Sequence, residues 1–331
     1  MKIGVSCGDL NGIGLECFVK AINNDGSSGN EYVLYGNEYS IFDYLNKCIL
    51  SNNEYQIIDK NLIVSNKAVE IVNCGNNSDV NFGRIDSNFG RIAIDAIRQC
   101  TLDLIVNKTD CMVTLPISKE SCYLAGFSFP GHTEYIADMC GVVNPLMLLY
   151  YKSFRVALQT IHIPISKVSS SISTNQIIER LIQVYNSLIN DFGTLPSIAV
   201  LGLNPHAGEN GNIGEEEINS IIPAIKAAKD LGINLDGPFP ADGFFAHSEH
   251  LKYSAILAMY HDQGLIPLKM SSLGNGVNFT AGLPIVRTSP DHGTAFAIAG
   301  KGIANYQSTL EAINGAVEIT LNRRRIKNEL S

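Results

Sequence analysis

Short apolar runs alternate with stretches of helical spacing along most of the chain, and this alternation restricts the fold more than any other feature. Residues 2–7, KIGVSC, read as a first strand, followed by the loop GDLNGIG and a helix from about Leu15. EYVLYGN and NLIVSN are further strands, separated by the helical pattern IFDYLNKCIL. Residues 76–86 are rich in Asn and Gly and predict a solvent loop. Ile92, Ile94, Ile97, Leu102 and Ile105 recur at helical spacing and predict a long helix over 89–107. CMVTLPIS then reads as a buried strand and SKESCYLAG as a helix. Such an order predicts an α/β fold with a mostly parallel sheet.

The second half continues in kind. PLMLLYYKSFRVALQTIHIPI predicts two strands joined through Lys152-Ser153, and TNQIIERLIQVYNSLINDF an amphipathic helix. SIAVLGLNPHAGENGNIGEEE reads as a strand running into a Gly-rich loop, and INLDGPFPADGFFA as a proline-punctuated loop with Asp242 at its tip. STLEAINGAVEITLNRRRIKN predicts a C-terminal helix. At 331 residues the chain exceeds the usual single-domain size, so two lobes around a cleft are expected.

A net charge of −8 argues against nucleic acid as a partner. The one basic run, Arg323 to Arg325, lies near a helix end, where cations offset the helix dipole. All eight cysteines fall at or before Cys140 without a CxxC pair, which predicts reduced thiols in a cytoplasmic protein. No signal peptide or membrane-spanning run is indicated.

Polar residues capable of chemistry concentrate between Ala258 and His292. There His261 and Asp262, Lys269, Asn278, Arg287, and Asp291 with His292 follow or interrupt apolar runs, a pattern that places polar groups at strand ends. Lys with Arg suits an anionic substrate, and histidines suit a metal or proton transfer. In PGHTEY, His132 and Thr133 open a helix. Thr133 there is either a helix cap or part of an anion site made by free N–H groups. His162, His206 and His261 each follow an apolar strand and precede a turn. They could form a metal site with open positions, although local ligand spacing such as HExxH is absent. A lone histidine at a strand end is otherwise a hydrogen-bonded core residue. Gly208, Gly211 and Gly214 suggest a phosphate cradle, but Glu215 to Glu217 in the following helical turn would repel a phosphate. The loop GDLNGIG matches neither GxGxxG nor a P-loop. His247 and His250 read as surface residues.

Taken together, GDLNGIGLE, PGHTEY, TIHIP, GLNPHAGENG, GPFPAD, AMYHDQG, GVNFTAGLPIVRTSPDHGTA and AGKGIA occur in order from residue 8 to 304. The chain thereby resembles the 4-hydroxythreonine-4-phosphate dehydrogenase family over essentially its whole length. HGTAFAIAGKGIAN is also similar to the adenosine-binding loop of isocitrate and isopropylmalate dehydrogenases, whose fold the resemblance implies: two α/β/α lobes with a cleft between them, 1–125 together with 265–331 forming one lobe and 126–264 the other. Also implied is NAD- or NADP-dependent oxidation of 4-phosphooxy-threonine to a 3-oxo acid that decarboxylates, in pyridoxal phosphate synthesis. By the same resemblance His162, His206 and His261 match ligands of a divalent metal, zinc first, with magnesium or cobalt as alternatives. His132, Thr133, Lys269, Asn278 and Arg287 match substrate-contacting positions, and His292, Gly293, Ala295, Gly300 and Asn305 the cofactor loop. The site is expected at a homodimer interface that shares the metal ligands.

Asp242 and Asp262 are candidates to orient metal-bound histidines or relay the hydroxyl proton; each is equally readable as a turn or cap carboxylate. Departures from the family pattern are Leu10-Asn11, Leu15, Gln159 and Pro290, and they leave a four-carbon sugar-acid phosphate open as substrate. A metal-dependent hydrolase or aldolase without nicotinamide, and a non-catalytic binding protein, are the readings from other classes.

Overall fold

The computed structural model describes residues 1–26, 29–50, 54–58 and 61–329. In chain order the first elements are β1 (Lys2–Ser6), α1 (Gly14–Asn24), β2 (Glu31–Gly36), α2 (Glu38–Lys47), β3 (Gln56–Ile58), β4 (Asn61–Val64) and β5 (Lys67–Asn73). Next come α3 (Ser87–Ile105), β6 (Cys111–Thr114), α4 (Lys119–Leu124), α5 (His132–Met139), β7 (Leu146–Tyr151), β8 (Phe154–Leu158) and α6 (Thr174–Asn190). The remainder is β9 (Ile198–Leu201), α7 (Ile222–Asp230), β10 (Leu235–Phe239), α8 (Ala241–Ala246), β11 (Ala255–Ala258), α9 (His261–Ser272), β12 (Val277–Ala281), β13 (Arg287–Pro290) and α10 (Gln307–Glu329). The chain divides into two compact units, Met1–Asn144 with Leu283–Thr320, and Pro145–Gly282 with Leu321–Ser331.

In the first unit the strand order is β13-β6-β1-β2-β5-β4-β3. All pairs from β13 to β5 are parallel, and the β5-β4 and β4-β3 pairs are antiparallel. The alternation read from the sequence therefore becomes the parallel sheet it predicts. β1 and β6 are buried almost throughout, as strands covered on both faces must be. Asn37 and Asp86 start α2 and α3 by accepting from the backbone N–H groups of Ser40 and Asn88. α3 then buries Phe89, Ile92, Ala93, Ala96, Ile97, Cys100 and Leu104 along one stripe. Each large apolar side chain so buried contributes about 1.5–3 kcal/mol.

The second unit has the order β10-β9-β11-β8-β7-β12, parallel from β10 to β8 and antiparallel beyond. Val156, Leu158, Ala199, Leu201, Ile256 and Ala258 from its parallel strands form one core with Phe244, Leu265 and Leu268. A Cβ on Gly264 would stand 2.5 Å from Val156, so glycine is what lets α9 lie against β8. All eight cysteines are unpaired in the structure, seven of them buried. Among the described residues no helix is long and apolar enough to cross a membrane.

Three local expectations need correction. The segment around Asp242 is not a loop: Leu235–Phe239 is a strand and Ala241–Ala246 a short helix. Pro238 is tolerated because β10 is an edge strand of its unit. Lys269 and Asn278 do not lie at strand ends, since Lys269 is within α9 and Asn278 within β12. His250 is half-buried rather than on the surface, its ring centroid 4.7 Å from that of Phe154.

Candidate active site

Sheet register in the second unit explains where its histidines emerge. β9, β11 and β8 are parallel neighbours, with Val200 beside Leu257 and Leu158 beside Ala258. Their C-terminal ends thus share one edge, where α/β sheets bind ligands. His206, His261 and His162 follow those three ends in turn. The rings of His162 and His261 are 5.7 Å apart, and both line a cavity of about 280 Å³ with Thr160, Tyr260 and Asp262. The Nδ1 of His261 is 2.8 Å from Asp262 Oδ1, so the ring presents Nε2 outward. This is the orientation a carboxylate-supported metal ligand needs. An exposed imidazole, His162, and a half-buried one, His261, the latter steered by a carboxylate, fit part of a divalent-metal site. Among the described residues no group of three or more His, Cys, Asp or Glu is placed to hold an ion. Asp242 is exposed in the first turn of α8, a helix that packs against Pro205–Gly211.

His206 stands on an unusual turn. His206 (φ 55°), Ala207 (φ 50°), Gly208 (φ 78°), Glu209 (φ 42°) and Asn210 (φ 56°) are consecutively left-handed. That conformation costs an L-residue about 1–2 kcal/mol, so the surroundings must impose it. In the same unit Lys269 is exposed on α9. The Oδ1 of Asn278 is buried without a hydrogen-bond partner, an acceptor left over for a ligand.

The first unit holds a different cluster. Arg287 opens β13 and is wholly buried. It donates from Nε and Nη2 to Thr114 Oγ1 (3.0 and 2.5 Å), from Nη1 to Thr133 Oγ1 (3.1 Å) and from Nη2 to His132 Nε2 (2.7 Å). An imidazole that accepts there carries its proton on Nδ1, which is buried and unpartnered. Burial, the Arg287 charge and Lys119 together hold the His132 imidazole well below its usual range. Burial also pushes the Arg287 guanidinium down to about 9, still charged at neutral pH. Thr133 lies inside the first turn of α5 and its hydroxyl accepts from Arg287, so it is no helix cap. The N-cap is Gly131.

His292, Gly293, Ala295, Gly300 and Asn305 lie on one loop of the same unit, leading into α10. His292 is half-buried, its Nε2 3.3 Å from Thr309 Oγ1. Ala295 is left-handed (φ 43°). A Cβ on Gly300 would come within 2.3 Å of the Phe82 ring. The loop is fastened from α1: Glu16 accepts from Ala304 N (2.7 Å) and from Lys20 Nζ (2.8 Å), which also donates to Gly302 O (2.8 Å). GDLNGIG packs on it as well, with Ile13 N donating to Thr294 O (3.0 Å). Asn11 pins the 76–86 segment, accepting from Asn81 N and Gly83 N and donating to Arg84 O.

This motif set and topology belong to a described protein family. The family model for pyridoxal phosphate biosynthetic protein PdxA matches residues 29–316. A 4-hydroxythreonine-4-phosphate dehydrogenase of Bacteroides thetaiotaomicron is 40% identical, over 99% of this chain and 91% of that protein. One of Sulfurihydrogenibium is 38% identical, over 96% of this chain and 98% of its own. The crystal structure of a 4-hydroxythreonine-4-phosphate dehydrogenase from Klebsiella pneumoniae matches with a TM-score of 0.84 and 33% identity, covering 96% of this chain and 98% of that one.

The chain belongs to this family. It is an oxidoreductase of pyridoxal phosphate biosynthesis with an α/β fold. Within that frame the sequence motifs contain the polar residues just described but not what holds them. Thr114, Gln263, Glu217 and Glu16 were passed over. Thr114 sits in a run that reads only as a buried strand, Gln263 stands beside the more conspicuous His261-Asp262 pair, and Glu217 reads only as charge in a helix's first turn.

Proposed function

We propose that this enzyme oxidises the C3 hydroxyl of 4-phosphooxy-L-threonine with NAD or NADP and a divalent metal, zinc in the first instance. The product, 2-amino-3-oxo-4-phosphooxybutanoate, then loses carbon dioxide to give 3-amino-2-oxopropyl phosphate. The observation that carries this reading is the cluster of buried Arg287 with half-buried His132 and Thr133, a preformed anion grip in a family whose named substrate carries phosphate and carboxylate. A guanidinium held by Thr114 has its fork fixed before substrate arrives, so little ordering is lost on binding. His132, kept neutral, offers an Nδ1–H to an anion without competing for a proton. Lys269 and Asn278 are the substrate contacts assigned to the second unit, and the unsatisfied Asn278 Oδ1 supports that role.

His162, His261 and His206 are the assigned metal ligands, with two copies of the chain sharing them in a homodimer. When bound, the ion would supply Lewis acidity at the substrate hydroxyl and its ketone product, and nicotinamide would supply the hydride acceptor. Asp262 fixes the tautomer and direction of His261. Asp242 is the proposed relay for the hydroxyl proton. His292, Gly293, Ala295, Gly300 and Asn305 would hold the cofactor, their loop being braced by Glu16 and Lys20.

Measuring nicotinamide reduction with 4-phosphooxy-L-threonine and with a four-carbon sugar-acid phosphate tests the assignment. Turnover of the first with little of the second is expected. Turnover of only the sugar acid, or conversion without nicotinamide reduction, would overturn it.

A further inference from the structure

The left-handed turn that carries His206 has one identifiable anchor. Glu217, at the start of the π-helical turn Glu217–Ile221, is 1% exposed. Its Oε1 accepts from Leu203 N (2.7 Å) and Asn204 N (2.8 Å), and its Oε2 from Asn204 Nδ2 (2.8 Å). Asn204 in turn accepts from Ala207 N through its own carbonyl (3.1 Å), closing the turn that contains His206. The same amide reaches Glu216 Oε2 (2.7 Å), and Glu216 accepts from Ser169. A Cβ on Gly208 would stand 2.6 Å from Glu217 Oε2, so that left-handed position is glycine because the carboxylate lies against it. A second link joins the anchor to the neighbouring histidine. Gln263 donates to Gly202 O (2.6 Å) and accepts from Met259 N (2.7 Å), tying the residue before Leu203 to the turn that opens α9 with His261.

We infer that Glu217 is a positioning residue for the metal site: by holding the 203–204 backbone it fixes the left-handed turn and hence the direction of the His206 imidazole. This rests on His206 being a ligand, as proposed above. Glu217 itself is no ligand, because both its oxygens are engaged and the side chain is buried. Supports of this kind typically change metal affinity ten- to hundredfold, roughly, when removed.

The test is Co(II) titration of the full-length, metal-stripped protein, following the ligand-field spectrum, for wild type, E217A, E217Q and H206A. E217A should bind Co(II) about ten- to hundredfold more weakly, with a spectrum shifted towards that of H206A. E217Q should fall between E217A and wild type, because its carbonyl oxygen can still accept from Leu203 N and Asn204 N. In the metal-free protein, amides of 203–211 should exchange faster in E217A. Wild-type affinity and spectrum in E217A, alongside loss of both in H206A, would overturn the role of Glu217 and leave the metal site standing. An unchanged spectrum in H206A would instead overturn the ligand assignment, and the inference with it. Should E217A fail to fold, E217D replaces it: its shorter side chain cannot reach both Leu203 N and Asn204 N, so weaker Co(II) binding is expected, and wild-type binding overturns the proposal.

Discussion

His132 and His261 are both first residues of helices that follow a strand or turn, yet their surroundings give them opposite chemistry. His132 lies against the buried Arg287, accepts from it, and is held neutral by burial of its ring and by positive charge. His261 is half-buried, lines a cavity beside His162 and leans on a carboxylate, Asp262. A histidine under a guanidinium is a fixed, uncharged donor. A histidine steered by a carboxylate in an open cavity is a basic lone pair on offer. Residue type alone did not distinguish them; the neighbour on the other ring nitrogen does.

The sharpest break of this contrast is His261→Ala. It should abolish metal binding and turnover together, read by metal analysis and nicotinamide reduction, while the thermal midpoint changes little. Retained metal would remove His261 from the ligand set. Next in size is Arg287→Lys, which exchanges a fixed fork for a point charge. Losing one charge-assisted contact costs about 1.5–3 kcal/mol, so KM for the phosphorylated substrate should rise roughly ten- to hundredfold. An unchanged KM would mean that Arg287 does not grip the anion.

Smaller still is the effect of His132 on acid stability. Its folded pKa lies below the usual 6.5, so the unfolded chain takes up the proton first. Its contribution is present above pH 6.5 and is lost as pH falls below that value. His132→Asn should therefore flatten the loss of stability between about pH 7 and 5 in denaturant titrations; an identical acid limb in the variant would contradict the assigned neutral state. The smallest change concerns Asp9, buried with Oδ2 unpartnered, whose carboxyl burial pushes up to about 6. A raised carboxyl stabilises the fold below its unfolded pKa of 3.8 and loses that benefit as pH rises through about 6. Asp9→Asn should then raise neutral-pH stability by about 1–2 kcal/mol and do little near pH 3.8. No gain at neutral pH would show that the carboxyl is ionised at no cost.

The strands and helices were legible because their periodicity is local: residues 89–107 read as a helix, and Ser87–Ile105 is one. The hairpin through Lys152-Ser153 was legible for the same reason. The region of Asp242 misled because Pro238 and Pro240 read as loop punctuation, whereas an edge strand and a short helix accommodate both. The supports of the candidate site were not legible, because they are tertiary. Thr114 meets Arg287 across 173 positions, and Glu16 meets Ala304 across 288. Glu217 lies close in sequence to Asn204, but three adjacent glutamates gave no sign of which one turns inward. The departure at Asn11 is now accounted for locally, since its amide fastens residues 81–84.

Two buried carboxylates show how differently such supports are built. Glu16 is neutralised by Lys20, whereas Glu217 is satisfied by N–H donors, with no cation paired to it among the described residues. The central claim is that imidazoles at the ends of β8, β9 and β11 hold an ion the oxidation requires. The most direct measurement is nicotinamide reduction with 4-phosphooxy-L-threonine by chelator-stripped enzyme, before and after zinc is restored. The account predicts no turnover when stripped and recovery on adding zinc. Full turnover without any divalent ion would contradict it.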